Sequence, residues 1–290
     1  MNALSLFSGI GGIDLACEWA GIKTVAFCER EPFPQAVLRK HWPDVPIYDD
    51  VCTLTKERLD ADGIDTQTVG LISAGYPCQP YSLSGEREGQ EDDRALWPEV
   101  KRLLQEIRPR WFVGENVAGH VSLGLDDVLS DLDSLSYSWE AIVLPAAAVG
   151  APHRRSRVII LGHSERVGFT RESWGGTNEF ASNGYFQLES ESIGAIRAAQ
   201  SRMGRMLDGV SERLDQHRWP TGRGENQHEW EPPRIKNEIK NRAARIKALG
   251  NAVVPQQIYP IVAAIKQIDD LLRDSAYESN ESTQPKAKAE

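Results

Sequence analysis

Cysteine is scarce in this chain. The 290 residues hold four (Cys17, Cys28, Cys52 and Cys78), and no two of them form a CxxC pair. That density excludes a disulfide-stapled secreted scaffold and points to a cytoplasmic, reducing setting. The six histidines form no HExxH motif and no Cys/His cluster. A zinc site is therefore not expected, and no metal is assigned. No apolar run approaches the roughly 20 residues that span a bilayer, so no membrane association is expected. The N-terminal stretch MNALSLFSGIGGIDLA lacks a basic start and carries Asp14 soon after its apolar residues. It reads poorly as a secretory signal. Positive charge is short as well. Asp and Glu number 42 against 33 Lys and Arg, a formal net charge of -9. Taken whole, that balance argues against a nonspecific nucleic-acid coat protein.

The shortage is not uniform. Residues 1–150 carry 24 acids and 12 bases, whereas residues 151–250 carry 12 acids and 17 bases. Two working parts with different partners are expected. At 40% hydrophobic and 26% charged, the composition is that of a folded globular chain and excludes wholesale disorder.

The first 163 residues alternate strand-like and helix-like stretches. Ala3–Phe7, Thr24–Cys28, Val69–Ser73, Trp111–Gly114, Ala141–Leu144 and Val158–Leu161 read as strands. Ile13–Ala20, Pro32 to about His41, Leu96–Ile107 and Val128–Leu135 read as helices. Strands separated by helices predict an α/β fold, with a mostly parallel sheet covered on both faces. Residues 164–235 are rich in Gly, Ser, Asn, Gln and Arg, with Trp174, Trp219 and Trp230 among polar neighbours. This texture predicts a smaller, loop-rich second domain or, for part of it, a long insertion. The division expected is 1–163, 164–246, a return at 247–274 with a helix through Leu272, and a disordered tail at 275–290.

Phe7-Ser8-Gly9-Ile10-Gly11-Gly12 sits between the first strand and the first helix. Glycines there permit a tight turn and close approach to a ligand. The same glycines also suit an ordinary strand-to-helix turn. Glu29 ends the second strand, where an acid commonly accepts from ribose hydroxyls. Asp50 follows the next extended stretch and is a candidate acceptor for an adenine amino group. The spacing is not GxGxxG, which favours a nucleoside cofactor without phosphates over NAD. Gly75-Tyr76-Pro77-Cys78-Gln79-Pro80-Tyr81-Ser82 follows another strand. Ligands of open parallel sheets bind beyond the carboxyl ends of strands, so Cys78 stands where a nucleophile would. Cys17, Cys28 and Cys52 are read as small buried hydrophobes.

Pro77-Cys78-Gln79 followed by Tyr81-Ser82 resembles the catalytic motif of the DNA (cytosine-5)-methyltransferases. Other segments resemble that family's motifs in the same order. They are Phe7 to Gly12, Glu29, Asp50-Val51, Glu115-Asn116-Val117, Arg155-x-Arg157 and Gly250-Asn251-Ala252-Val253. Two positions depart from the pattern: His153 stands where Gln is usual, and Arg30 where an aromatic often stacks on adenine. The resemblance implies a Rossmann-like S-adenosylmethionine-binding domain with a target-recognition domain. It implies Cys78, Glu115, Arg155 and Arg157 as catalytic residues. It implies Phe7, Gly9, Gly11, Gly12, Glu29, Asp50, Val51, Pro77, Asn251 and Ala252 as cofactor-binding residues. The implied substrate is double-stranded DNA, with a flipped cytosine attacked by Cys78 at C6. A monomer is expected, with a cognate restriction nuclease acting separately. Ser82 to Arg94 reads either as a lid or as a solvated loop. Arg197, Arg202, Arg205, Arg213, Arg218, Arg223 and Arg234 are available for reading DNA. Rival readings are an NAD-dependent dehydrogenase, a silent DNA-binding homologue and the tRNA-methylating branch of the family. An adenine-N6 or cytosine-N4 enzyme needs an Asp/Asn/Ser-Pro-Pro-Tyr/Phe loop, which is absent.

Overall fold

Successive residues of a strand point to opposite faces, so a sheet covered on both sides needs apolar residues at consecutive positions. The central strands of this chain meet that requirement in the computed structural model. It describes residues 1–77, 96–122, 124–151, 153–164, 226–231 and 240–281. Cys78, the expected lid at Ser82–Arg94 and the seven arginines named for reading DNA lie outside the described residues. So do Trp174, Trp219 and the tail beyond 281.

The elements in chain order are β1 (Asn2–Leu6), α1 (Gly12–Trp19), β2 (Lys23–Cys28), α2 (Pro32–His41), β3 (Ile47–Tyr48) and α3 (Lys56–Ala61). There follow β4 (Val69–Ala74), α4 (Trp97–Ile107), β5 (Trp111–Val117), α5 (Leu125–Ser134), β6 (Tyr137–Leu144) and β7 (Arg157–Ser164). The last two are α6 (Arg242–Asn251) and α7 (Pro255–Glu281), so the final helix runs past the boundary expected at 274.

The seven strands form one sheet in the order β3-β2-β1-β4-β5-β7-β6. The pairs among β1 to β5 are parallel, whereas β7 runs antiparallel to both β5 and β6. Leu4, Ile72, Phe112, Val158 and Ile160 face one core with α3, α4 and α5. Ala3, Leu71, Trp111, Val113 and Ile159 face a second core with α1 and α7. Helix α4 shows the logic of the covering layer. Val100, Leu103, Leu104 and Ile107 lie on one side at helical spacing, and all four are buried.

Chain order reverses between β1 and β4. From β1 the chain winds outward through β2 and β3, and it then returns to place β4 on the other side of β1. Such a switch point leaves a crevice beyond the carboxyl ends of the two strands. Residues 7–12 leave β1 and residues 75–77 leave β4 at that crevice.

Cys17 and Cys28 are buried, as expected, but Cys52 is exposed. It sits in a short 3-10 turn capped by Asp50, and that turn buries Val51 instead. Among the described residues no single helix is long and apolar enough to cross a membrane.

Candidate active site

The crevice opens into a cavity of about 610 Å³. Phe7, Gly9, Gly12, Glu29, Pro77, Glu115, Arg157, Asn251 and Ala252 all line it. Three more of the expected cofactor residues, Gly11, Asp50 and Val51, are not on its wall. Arg155 is not on the wall either.

The glycine turn is built around close approaches. Gly11 has φ +83°, and a Cβ there would stand 2.5 Å from the Trp42 ring. Gly12 has no room for a Cβ either, because the Val253 carbonyl oxygen would lie 2.9 Å away. The C-terminal segment thus packs directly on the start of α1. This contact explains why residues near 251 share a cavity with residues near 9.

Glu29 organises the other side of the turn. One carboxylate oxygen accepts from the Gly9 N–H at 2.7 Å and the other from the Glu31 N–H at 2.7 Å. A carboxylate offers about four acceptor positions, so both oxygens keep capacity for further donors. Burial raises its pKa above the ordinary value, while the N–H groups of Glu31 and Gly9 pull it down. At the mouth, Lys247 pairs with Glu31 at 3.1 Å.

Asp50 has a local task. Its carboxylate accepts from the Cys52 N–H at 2.9 Å and caps the 3-10 turn.

Glu115 and Arg157 come together through strand register. Sequence periodicity ends the fifth strand at Gly114, but β5 continues to Val117 along its antiparallel partner β7. Glu115 pairs with Ile159 and Val117 with Arg157. Glu115 and Arg157 are therefore diagonal neighbours on one face, within reach of long side chains. Arg157 Nε lies 2.7 Å from Glu115 Oε1. Both residues are buried, at 8% exposure for Glu115 and 9% for Arg157. Burial holds the Glu115 pKa above its ordinary value, against the charge and hydrogen bond of Arg157 and the charge of Arg155.

The segment leading to Cys78 is held from three sides. Asn116 Nδ2 donates to the Tyr76 carbonyl oxygen at 3.1 Å. The Tyr76 hydroxyl meets His120 Nε2 at 2.9 Å, and its ring packs on Trp97 with centroids 5.1 Å apart. A Cβ placed on Gly75 would lie 3.5 Å from both Glu115 Oε2 and the Phe7 carbonyl oxygen. The glycine turn, the segment before Cys78 and the Glu115 carboxylate thus converge around Gly75. Sequence reading missed Tyr76, His120 and Trp42 as supports of the site. Their partners lie far along the chain, and no local spacing signals such contacts.

Arg155 is not on the cavity wall, although its charge reaches Glu115 and Arg157. Its guanidinium Nη2 donates to the Gly250 carbonyl at 2.7 Å and to the Ala252 carbonyl. Among the described residues no group of three or more His, Cys, Asp or Glu is arranged to hold a metal ion.

The type II methyltransferase M2.BsuMI of Bacillus subtilis (strain 168) is 38% identical over 172 residues, covering 56% of this chain and 41% of that protein. The type II methyltransferase M.AquIA of Picosynechococcus sp. is 33% identical over 182 residues, covering 58% of this chain and 73% of that protein. The chain thus spans less than half of the Bacillus protein but most of the Picosynechococcus one. The crystal structure of S. pombe Dnmt2 methyltransferase shares the fold, with a TM-score of 0.57, 17% identity and coverage of 94% of this chain and 99% of that chain. A family model, C-5 cytosine-specific DNA methylase, matches residues 1–235. With most of its length under that match, and with the glycine turn, Glu115 and Arg157 gathered at one crevice, the chain belongs to the C-5 cytosine-specific DNA methylase family.

Proposed function

We propose that this chain transfers a methyl group from S-adenosylmethionine to C5 of a cytosine rotated out of double-stranded DNA. The observation that carries the reading is one cavity shared by two kinds of residue. The glycine turn, Glu29 and Pro77 suit a nucleoside, and Glu115 and Arg157 suit a reacting base. The volume of about 610 Å³ falls within the range of small-molecule sites.

Glu29 would accept from the ribose hydroxyls, with its position fixed by the Gly9 and Glu31 N–H groups. Phe7, Gly9, Gly12 and Pro77 would hold the cofactor on one side, and Asn251 and Ala252 would close the other. S-adenosylmethionine supplies a methyl group on a sulfonium, activated for transfer to carbon.

Cys78 is the nucleophile. Its thiolate adds to C6 and breaks the C5–C6 double bond, which makes C5 electron-rich enough to take the methyl group. Negative charge builds on the ring as the thiolate adds. Glu115, whose burial favours the protonated form, holds a proton toward N3 to stabilise it. Arg157 Nε, 2.7 Å from Oε1, holds that carboxyl in place and leaves Oε2 to carry the proton. Asn116 steadies the Cys78 segment through the Tyr76 carbonyl. Loss of the C5 proton then expels Cys78 and restores the aromatic ring. Residues 1–163 carry this chemistry, and the basic segment 164–246 reads the DNA.

Two measurements test the reading. Calorimetry with S-adenosylmethionine and with NAD should show binding of the first alone. Labelled methyl groups should pass to cytosine in duplex DNA and not to tRNA. Binding of NAD without S-adenosylmethionine would return the site to a dehydrogenase. Label on tRNA alone would move the substrate to RNA.

A further inference from the structure

Arg155 has two unusual features. Its φ is +32°, a region that residues with a Cβ seldom occupy and that persists only when the surroundings impose it. Its side chain also reaches behind the cavity wall to the C-terminal end of α6. Nη2 donates to the Gly250 carbonyl at 2.7 Å and to the Ala252 carbonyl, with the Leu249 carbonyl at 3.4 Å. The last carbonyls of a helix lack helical donors, and a cation there also meets the negative end of the helix dipole.

The link is returned from the other direction. Gln257, in the first turn of α7, is fully buried. Its Nε2 donates to the Arg155 carbonyl at 3.1 Å and to the Leu144 carbonyl at 2.8 Å. One anchor therefore precedes the connector between α6 and α7, and the other follows it. The connector holds Ala252, Val253 and Val254. Asn251 and Ala252 line the cavity, and the Val253 carbonyl abuts Gly12. Two residues after Arg155, Arg157 pairs with Glu115.

We propose that Arg155 and Gln257 form a clamp that positions the 250–253 wall of the cofactor cavity against the end of β6 and the segment that leads into β7. Arg155 is then a positioning residue for the methyl donor and not a ligand of DNA. This rests on reading the cavity as the S-adenosylmethionine site. The clamp also sets the cofactor wall relative to the Glu115–Arg157 pair, because Arg155 stands two residues before Arg157, in the segment that leads into β7.

The test uses the whole chain with Arg155→Ala, Arg155→Lys and Gln257→Ala. S-adenosylhomocysteine binding is measured by calorimetry, and duplex DNA binding is measured across a salt series. Amide exchange of residues 249–253 is followed without ligand. Arg155→Ala should weaken S-adenosylhomocysteine at least tenfold and speed exchange of the 249–253 amides. Its DNA affinity should stay within twofold, with an unchanged salt slope. Arg155→Lys should fall between, because an ammonium keeps the charge and can donate to carbonyls, but its stem is shorter than the arginine that reaches Gly250 and Ala252. Gln257→Ala should move the same two readouts without any change of charge. If Arg155→Ala does not fold, the other two variants carry the comparison. The clamp is overturned if DNA affinity falls with a salt slope smaller by about one, the mark of a lost phosphate contact, while cofactor affinity holds. It is equally overturned if amide exchange is unmoved in all variants. A wild-type chain that binds no S-adenosylhomocysteine would remove the cofactor reading and leave amide exchange to decide the clamp.

Discussion

Asp14, in the first turn of α1, is buried at 1% exposure. Its two oxygens accept from Ser5 Oγ and Thr24 Oγ1, each at 3.0 Å. Burial raises its pKa from 3.8 to about 6 despite both hydrogen bonds. Between those values the folded chain holds a proton that the unfolded chain has released. Stability should therefore fall as pH rises from about 4 to about 6, by on the order of 3 kcal/mol for this group. Thermal melts of wild type and Asp14→Asn across that window test this. The wild-type curve should slope downward more steeply than the variant's, and parallel curves would contradict the assignment. Gly11 offers a second residue-scale check. Alanine there combines a positive φ with overlap of the Trp42 ring. The denaturation midpoint should shift by the equivalent of about 2–4 kcal/mol. At this scale the site was largely legible. Glu29, Glu115 and Arg157 were found from their motifs, and the structure brings all three to one cavity. Asp50 and Arg155 also stand out in the sequence, but their side chains serve backbone caps at a turn and at a helix end. Motif spacing identifies a residue without saying which way its side chain turns.

Elements were legible where periodicity was long. Helices α2 and α4 begin and end within a residue of the expected bounds, because Pro32 and the apolar spacing of 100–107 mark them. The short elements were not. Strand β3 has two residues, too few for any alternation to register. Helix α3 has six and is held by a tertiary contact, from the Lys56 N–H to Glu106 at 3.1 Å. The extension of β5 through Glu115 and Asn116 depends on β7, which enters the chain forty residues later than the pair it supports. Helix α7 matters most for the site, because it seats the 250–253 wall. Ile258 is fully buried in the core it shares with α1. Ile258→Ala should cost about 2–5 kcal/mol, read as a lower denaturation midpoint. A loss below about 0.5 kcal/mol would mean that α7 is not docked as described.

For the whole molecule, the net charge of -9 stops being an objection to DNA once the acids are located. Asp60, Asp131, Glu99 and Glu106 pair with Lys56, Lys101 and Arg102 on the helices of one face. Glu29 and Glu115 lie in the cavity. The fold itself follows from alternation along each strand, which makes two cores and leaves one switch point where ligands gather. The order of the parallel strands and the reversed β7 were beyond sequence reading, since pairing between distant strands leaves no local trace. The central claim is that this cavity directs cytosine C5 methylation through Cys78. The most direct measurement expresses the chain and its Cys78→Ala variant in a methylation-free bacterial host, then maps methylated cytosines in the host DNA. The account predicts 5-methylcytosine at one recurring short sequence with the wild type and none with the variant. A methylation pattern that persists in Cys78→Ala, or a wild-type chain that binds S-adenosylmethionine yet leaves every cytosine unmodified, would contradict it.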